Sequence, residues 1–173
     1  MTKNNLHEYI RLVMDFPKEG IAFRDISPLL ASGEALNLTV NLMAKEVEGL
    51  DAVVGPDARG FLFGTPVAAV LKKPFIMVRK PNKLPGEVVS IDYSLEYGTN
   101  KLEIQKGMIK PGQEVAIIDD VLATGGTTCA IIDLLRSQGA IVKKVILLIE
   151  LDALEGRKKI EEKGVEVVSL LHY

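Results

Sequence analysis

The sequence predicts an α/β fold, with a mostly parallel, twisted sheet that carries helices on both faces. Short apolar runs suited to buried strands alternate along the chain with segments of helical periodicity. A chain of 173 residues can bury one substantial hydrophobic core but is short for two full domains. We therefore expect residues 1–173 to form a single domain.

The predicted elements follow one another regularly after residue 35. Leu36, Val40, Met43 and Val47 recur at the spacing of one helical face. Short apolar runs predict strands over 51–54, where Gly55 and Pro56 follow, and over 75–78, 115–118, 145–151 and 165–171. Helices are expected over 61–71, 127–137 and 153–163.

Residues 80–107 interrupt this alternation. Val89, Ile91 and Tyr93 alternate with polar residues, which is typical of a strand with two different faces. A turn at 98–100 and a returning strand would complete a long hairpin. The loop at 81–86 is expected to be exposed and flexible, and such loops often act as lids. A plain antiparallel extension of the sheet is the alternative.

The composition is that of an ordinary globular protein, with 47% hydrophobic and 25% charged residues. Lys plus Arg (21) nearly balances Asp plus Glu (23), so no nucleic-acid surface is indicated. The longest apolar run, residues 145–149, is far shorter than the roughly 20 residues of a membrane span. Cys129 is the single cysteine, which excludes an internal disulfide and favours a cytoplasmic protein. We read it as a small apolar side chain rather than as a reactive thiolate.

The most informative motif is an acid pair followed by a glycine turn. Asp119 and Asp120 end an apolar strand and precede Ala-Thr-Gly-Gly-Thr-Thr at 123–128. The glycines allow a sharp turn, and the helix that follows would point its N–H groups and positive dipole at an anion. An ordinary capped turn explains two acids alone, but not the whole pattern. Phosphate on the turn and sugar hydroxyls on the carboxylates together describe a ribose 5-phosphate.

A second glycine-bounded turn, residues 55–60, also lies between a strand and a helix. In doubly wound sheets, ligands bind beyond the carboxyl ends of the strands, where the two turns would meet. Its N–H groups and Arg59 would suit a diphosphate. Arg79, Lys80 and Lys83 add positive charge, although a solvated loop is the alternative for them. Protein side chains clustered as metal ligands are not evident, so we expect Mg²⁺ to be carried mainly by the diphosphate.

The acid pair and its turn resemble the phosphoribosyl pyrophosphate signature of the type I phosphoribosyltransferases. The resemblance implies that fold, with a small N-terminal hood within residues 1–34 and a flexible hairpin over 80–107. It also implies that Asp119 and Asp120 hold the ribose hydroxyls. The 5-phosphate loop would comprise Ala123, Thr124, Gly125, Gly126, Thr127 and Thr128, and the diphosphate site Asp57, Ala58, Arg59, Arg79 and Lys83.

Further motifs narrow the resemblance to the members that use adenine. They are FPKEGIAFRDISP at 16–28, KLPG at 83–86 and YSLEYG at 93–98, in fitting order. In those enzymes the hood reads the base, which assigns Ala22, Phe23 and Arg24, with Val121, to adenine binding. Glu96 would be the catalytic residue that handles a purine proton. Where Ala22 stands, the family more often has Val.

The implied reaction transfers the 5-phosphoribosyl group from phosphoribosyl pyrophosphate to adenine, giving AMP and diphosphate. The resemblance also implies a homodimer, and the charge balance and short apolar runs lead us to expect neither a nucleic-acid nor a membrane partner. Two alternatives remain. An enzyme for guanine, hypoxanthine or xanthine would share the signature but need a donor facing the 6-oxo group. A regulatory sensor would usually add a nucleic-acid surface or lose the catalytic glutamate.

Overall fold

A computed structural model describes residues 2–95 and 98–173. The chain divides into two compact units, Met1–Leu42 and Met43–Tyr173. The predicted single domain over 1–173 stays a prediction. Among the described residues, no helix combines the length and apolar character needed to cross a bilayer.

The first unit begins with a 3₁₀ helix, Lys3–Tyr9, and a two-stranded antiparallel ribbon. Strand β1 (Arg11–Met14) pairs with β2 (Ala22–Asp25), and helix α1 (Ser27–Ala31) follows. Hydrogen bonds from Ser27 and then from Arg11 lower the pKa of Asp25 to about 2. Helix α2 (Gly33–Val47) begins in this unit. The segment assigned to the hood is thus a folded ribbon.

The second unit is built on a five-stranded parallel sheet in the order β4-β3-β7-β8-β9. Its strands are β3 (Ala52–Pro56), β4 (Phe75–Val78), β7 (Glu114–Leu122), β8 (Ile141–Glu150) and β9 (Glu166–His172). Helices α3 (Arg59–Leu71), α4 (Gly126–Ser137) and α5 (Gly156–Glu161) alternate with them. This confirms the predicted α/β class and parallel sheet.

The sheet is buried on both faces. Ile117 and Leu147 belong to the core cluster that includes the apolar residues of α4. Their neighbours Ile118 and Ile146 are 0% exposed and point to the opposite face, because strand residues alternate. The consecutive apolar residues 115–118 of β7 and 145–149 of β8 are typical of a parallel sheet covered on both sides.

A hairpin covers part of one face. Strands β5 (Val88–Leu95) and β6 (Gly98–Gln105) pair antiparallel, which confirms the predicted hairpin. The prediction of a turn at residues 98–100 was wrong, because these residues already belong to β6 and pair with β5. Leu102 and Ile104 of β6 are buried in the core cluster. The flexibility expected of this segment stays a prediction.

Several other element bounds differ from the sequence expectation, among them those of β7 and of the helix expected over 153–163, while β8 begins at Ile141 rather than at 145. Strand β7 extends to Leu122 rather than ending at Ile118, because its ladder with β8 continues to the pair Leu122–Glu150. The helix expected over 153–163 is interrupted. A 3₁₀ turn, Asp152–Leu154, is followed by a left-handed Glu155 (φ 51°) before α5 begins.

Candidate active site

The acid pair lies inside β7 rather than after it, at the carboxyl edge of the sheet. The Asp120 N–H donates to Asp119 Oδ1 at 2.8 Å, and Asp120 is only 3% exposed. Burial, and next the negative charge of Asp120, raises the pKa of Asp119 well above its ordinary value. Burial also raises the pKa of Asp120, although the charge of Arg59 opposes the shift. The site therefore concentrates two carboxylates whose charged forms are poorly stabilised by the protein alone.

Arg59 is the cation nearest this pair. Its Nε lies 2.8 Å from Asp120 Oδ2, within ion-pair distance. That oxygen is nevertheless buried without a hydrogen-bond partner among the described residues. Arg59 Nε and Asp120 Oδ2 thus lie at the distance of an ion pair without the angle of a hydrogen bond. Asp120 Oδ2 is thus a buried acceptor available to a ligand hydroxyl or a cation.

The glycine turn follows β7 directly and leads into α4. Gly125 takes a left-handed conformation (φ 78°) at the N-cap, a geometry that a side chain disfavours. Helix α4 begins at Gly126, so the N–H groups of its first turn border the carboxylates. The sequence expectation of a helix opening at this turn is confirmed. The turn offers an anion both N–H donors and the positive end of a 12-residue helix.

The second turn, residues 57–59, follows β3, which pairs directly with β7. Helix α3 leads from β3 outward to β4, whereas α4 leads from β7 outward to β8. The strand order therefore reverses between β3 and β7, which is where ligands bind in open parallel sheets. The Asp57–Ala58 peptide bond is cis. Asp57 accepts a hydrogen bond at 3.1 Å from Nε of Arg79.

Both turns and the acid pair line one pocket of about 250 Å³. Of the predicted site residues it brings together Asp57, Ala58, Arg59, Asp119, Asp120, Val121 and all six residues of the glycine loop, 123–128. Pro56 and Leu122, which were not predicted as site residues, line it as well.

Five other predicted site residues lie elsewhere in the described structure. Arg79 reaches the pocket indirectly, through Asp57, while its Nη1 donates to the Lys83 carbonyl oxygen at 3.2 Å. The Lys83 side chain is exposed. Phe23, like Ala22 and Arg24 on either side of it, belongs to β2 of the first unit. Glu96 lies outside the described residues.

Tyr93 is a contact of this region that the sequence analysis did not assign. Its hydroxyl lies 3.3 Å from Thr127 Oγ1, joining hairpin strand β5 to the glycine loop. The alternation of Val89, Ile91 and Tyr93 had placed these residues on one face, and all three pack on the core. The pattern indicated the facing of Tyr93 but not the residue that its hydroxyl meets.

Cys129, in the first turn of α4, packs against the core cluster. Burial raises the pKa of its thiol. A raised pKa keeps the sulfur protonated, so the structure agrees with a packing role for this cysteine rather than a thiolate nucleophile.

The chain is similar to known phosphoribosyltransferases over most of its length. Residues 29–171 match the phosphoribosyl transferase domain family. The adenine phosphoribosyltransferase of Mycoplasmopsis agalactiae is 66% identical, covering 98% of this chain and 99% of that protein. The crystal structure of the Thermoanaerobacter pseudethanolicus adenine phosphoribosyltransferase is 47% identical, with a TM-score of 0.94 over 99% of this chain and 100% of that one.

The adenine phosphoribosyltransferase of Saccharomyces cerevisiae, crystallised with adenine and D-2,5-dideoxy-2,5-imino-altritol 1,6-bisphosphate, is 35% identical. Its TM-score is 0.92, and the match covers 98% of each chain. The family match and these near-complete alignments place this chain in the type I phosphoribosyltransferases, in the adenine phosphoribosyltransferase family.

Proposed function

We propose that this protein transfers the 5-phosphoribosyl group of phosphoribosyl pyrophosphate to adenine, giving AMP and diphosphate. The observation that carries the proposal is the single pocket in which two glycine-bounded turns flank a buried acid pair. A ligand with an anionic group at each end and hydroxyls between them fits this arrangement. Relatives named for this activity match over nearly their whole length.

The glycine loop is assigned to the 5-phosphate. Thr124, Thr127 and Thr128 add hydroxyl donors to the N–H groups at the start of α4, so a dianion meets donors on several sides. Backbone donors of this kind are held by the fold before the ligand arrives, and little reorganisation is needed on binding.

Asp119 and Asp120 are assigned to the ribose 2- and 3-hydroxyls. Ligand hydroxyls can donate to the buried carboxylates, including Asp120 Oδ2, and thereby favour the ionised forms that burial disfavours. The two negative charges would also lie near the sugar as its anomeric carbon becomes cationic during transfer. Positioning and electrostatic stabilisation of that transition state would supply much of the rate enhancement.

Residues 57–59, with Arg79 and Lys83, are assigned to the leaving diphosphate. The carboxylates of the acid pair are oxygen donors of the type that Mg²⁺ prefers, and Asp120 Oδ2 accepts no hydrogen bond from the described residues, so the site fits this ion. Most of its ligands would be diphosphate oxygens and water, and Mg²⁺ would neutralise charge on the departing diphosphate. Arg59 would add a fixed positive charge to the same end of the pocket.

Adenine binding is assigned to Ala22, Phe23 and Arg24 of the hood, with Val121 at the pocket. Glu96 is assigned as the general acid–base residue for the purine. Proton transfer by such a residue typically raises the rate by about 10²–10⁴-fold. The yeast relative crystallised with adenine supports this choice of base. We also expect a homodimer in the cytoplasm, as the resemblance and the single cysteine suggested.

The test is an assay of nucleotide formation with Mg²⁺, phosphoribosyl pyrophosphate and each of adenine, guanine, hypoxanthine and xanthine. We expect product from adenine alone, because a site that matches a 6-amino group leaves buried polar groups unpaired against a 6-oxo group. Product from guanine but not adenine would refute the base assignment. Binding of phosphoribosyl pyrophosphate without product from any base would favour the sensor.

A further inference from the structure

The phosphate loop is supported from behind by a glycine that lies outside the signature. A Cβ placed on Gly125 would lie 2.8 Å from the Gly156 carbonyl oxygen. A Cβ placed on Gly156 would lie 2.3 Å from the Ala123 carbonyl oxygen and 3.0 Å from the Gly125 nitrogen. The loop and the first residue of α5 are therefore in direct backbone contact, at a separation that only glycine permits on either side.

The next residue fixes the position of this contact. Arg157 binds Glu150 with two hydrogen bonds, Nε to Oε1 at 2.9 Å and Nη2 to Oε2 at 2.6 Å. Its Nη1 also donates to the Val167 carbonyl oxygen at 2.7 Å, which ties the start of α5 to β9. Ser169 donates to Glu150 Oε2 at 2.6 Å. The start of α5 is thus attached to two strands of the sheet.

Glu150 is well placed to anchor the loop. It is 5% exposed and lies at the end of β8, opposite Leu122, the residue immediately before the loop. Burial alone would raise its pKa, but hydrogen bonds from Arg157 and Ser169 leave the pKa below its ordinary value. The carboxylate is therefore ionised at neutral pH, and the forked pair with Arg157 keeps its full charge.

We propose that Gly156 and the Glu150–Arg157 pair are positioning residues for the 5-phosphate. They set the backbone of the glycine loop from the side opposite the ligand, without touching the ligand themselves. This proposal rests on the function proposed above, in which that loop binds the 5-phosphate. Binding of a phosphate through N–H groups depends on the directions of those groups. A displacement of about 1 Å in an active site can lower the catalytic rate about 10²-fold.

The structure indicates how far a side chain at Gly156 would displace the loop. The added Cβ must retreat from 2.3 Å to at least 3.0 Å from the Ala123 oxygen, a shift of about 0.7 Å. The obstacle is backbone, which cannot rotate aside as a side chain can. Gly156→Ala is therefore expected to move the loop rather than be absorbed locally.

The experiment compares Gly156→Ala with Gly164→Ala. Gly164 follows α5 and has a positive φ of 71°, which strains an alanine, but a Cβ there meets nothing within 4 Å. Both variants should lower Tm. Only Gly156→Ala should raise the Kd of phosphoribosyl pyrophosphate, measured by calorimetry, and its KM, by about 10- to 100-fold, as expected for the loss of one hydrogen bond to a charged phosphate. The KM of adenine should stay unchanged.

Two smaller ligands localise the effect. Gly156→Ala should weaken ribose 5-phosphate binding as strongly as phosphoribosyl pyrophosphate binding, while inorganic diphosphate with Mg²⁺ binds as to wild type. Equal weakening of both, or wild-type Kd values for both, would overturn the proposal. If Gly156→Ala does not fold, Arg157→Lys takes its place. Lysine keeps the positive charge of Arg157 but cannot make the two parallel hydrogen bonds to Glu150. An unchanged Kd for ribose 5-phosphate in this variant would also overturn the proposal.

The wild-type titration separates this inference from the function on which it rests. Failure of wild type to bind phosphoribosyl pyrophosphate would refute the proposed function. Tight binding by wild type, together with undiminished ribose 5-phosphate binding by Gly156→Ala, would refute the positioning role alone.

Discussion

Asp119→Asn should weaken catalysis and strengthen the fold at the same time. Asp119 is the cleaner of the two acids to change, because Arg59 pairs with Asp120. The amide oxygen of Asn can still accept the 2.8 Å hydrogen bond from the Asp120 N–H. The substitution therefore removes a charge with little change in shape.

The expected loss of activity is that of one hydrogen bond between the Asp119 carboxylate and a ribose hydroxyl. A hydrogen bond to a charged group is worth about 1.5–3 kcal/mol. Because about 1.36 kcal/mol corresponds to a tenfold change, kcat/KM for phosphoribosyl pyrophosphate should fall by about 10- to 150-fold. The KM of adenine should change little, since Asp119 is assigned to the sugar.

The gain in stability follows from the raised pKa of Asp119. The folded protein holds the Asp119 proton to higher pH than the unfolded chain does. Stability from this group is therefore present below the unfolded pKa, about 4, and is lost as pH rises through the folded pKa. Asn does not titrate, so Tm of the variant should exceed that of wild type by a margin that widens from pH 4 upward.

Thermal unfolding from pH 4.5 to 8 without ligand, together with initial rates at pH 7.5, measures both effects. Asp133→Asn is the matched control, because its carboxylate pairs with Lys163 on the surface, 44% exposed. It should alter stability by less than about 0.5 kcal/mol and leave kcat/KM unchanged. A Tm for Asp119→Asn below that of wild type at pH 8, or wild-type kcat/KM, would refute the reasoning.

Three further outcomes are expected. Tyr93→Phe removes the hydroxyl 3.3 Å from Thr127 Oγ1 and should lower the free energy of unfolding by about 0.5–1.5 kcal/mol in urea titration. Phe63→Ala, at a fully buried position of α3, should cost about 3–5 kcal/mol, whereas Leu62→Ala, 43% exposed, should cost far less by the same measurement. Glu96→Gln should reduce kcat by about 10²–10⁴-fold with little change in the Kd of phosphoribosyl pyrophosphate by calorimetry, and parallel losses in both would make Glu96 structural.

The parts of the fold that the sequence predicted are those encoded in local pattern. Strand β4 was placed at its observed bounds, because Phe75 to Val78 is an apolar run with a proline before it and charge after it. The glycine turn was found because Gly125 and Gly126 follow adjacent acids, a combination with few other uses. The extension of β7 to Leu122 was missed, since carboxylates at 119 and 120 are rare inside a strand and only the ladder with β8 keeps them there.

Long-range contacts account for the rest. Gly156 reads in sequence as an ordinary residue in a polar helix. Its role depends on Gly125, 31 positions earlier, and no periodicity links the two. The interruption at Glu155 has the same origin, because the backbone must turn there to bring Gly156 against the loop. An unexplained glycine beside an arginine was the available signal.

The direct pairing of β3 with β7 determines how far apart the two turns of the pocket begin. The two turns that line the pocket leave neighbouring strands, and neighbouring strands lie about 4.8 Å apart. The separation of the two turns therefore depends first on the spacing of the strands, a backbone distance that side-chain substitutions do not change. A substitution in either turn would therefore change the groups that line the pocket, while the separation of the two backbone turns stays set by the sheet.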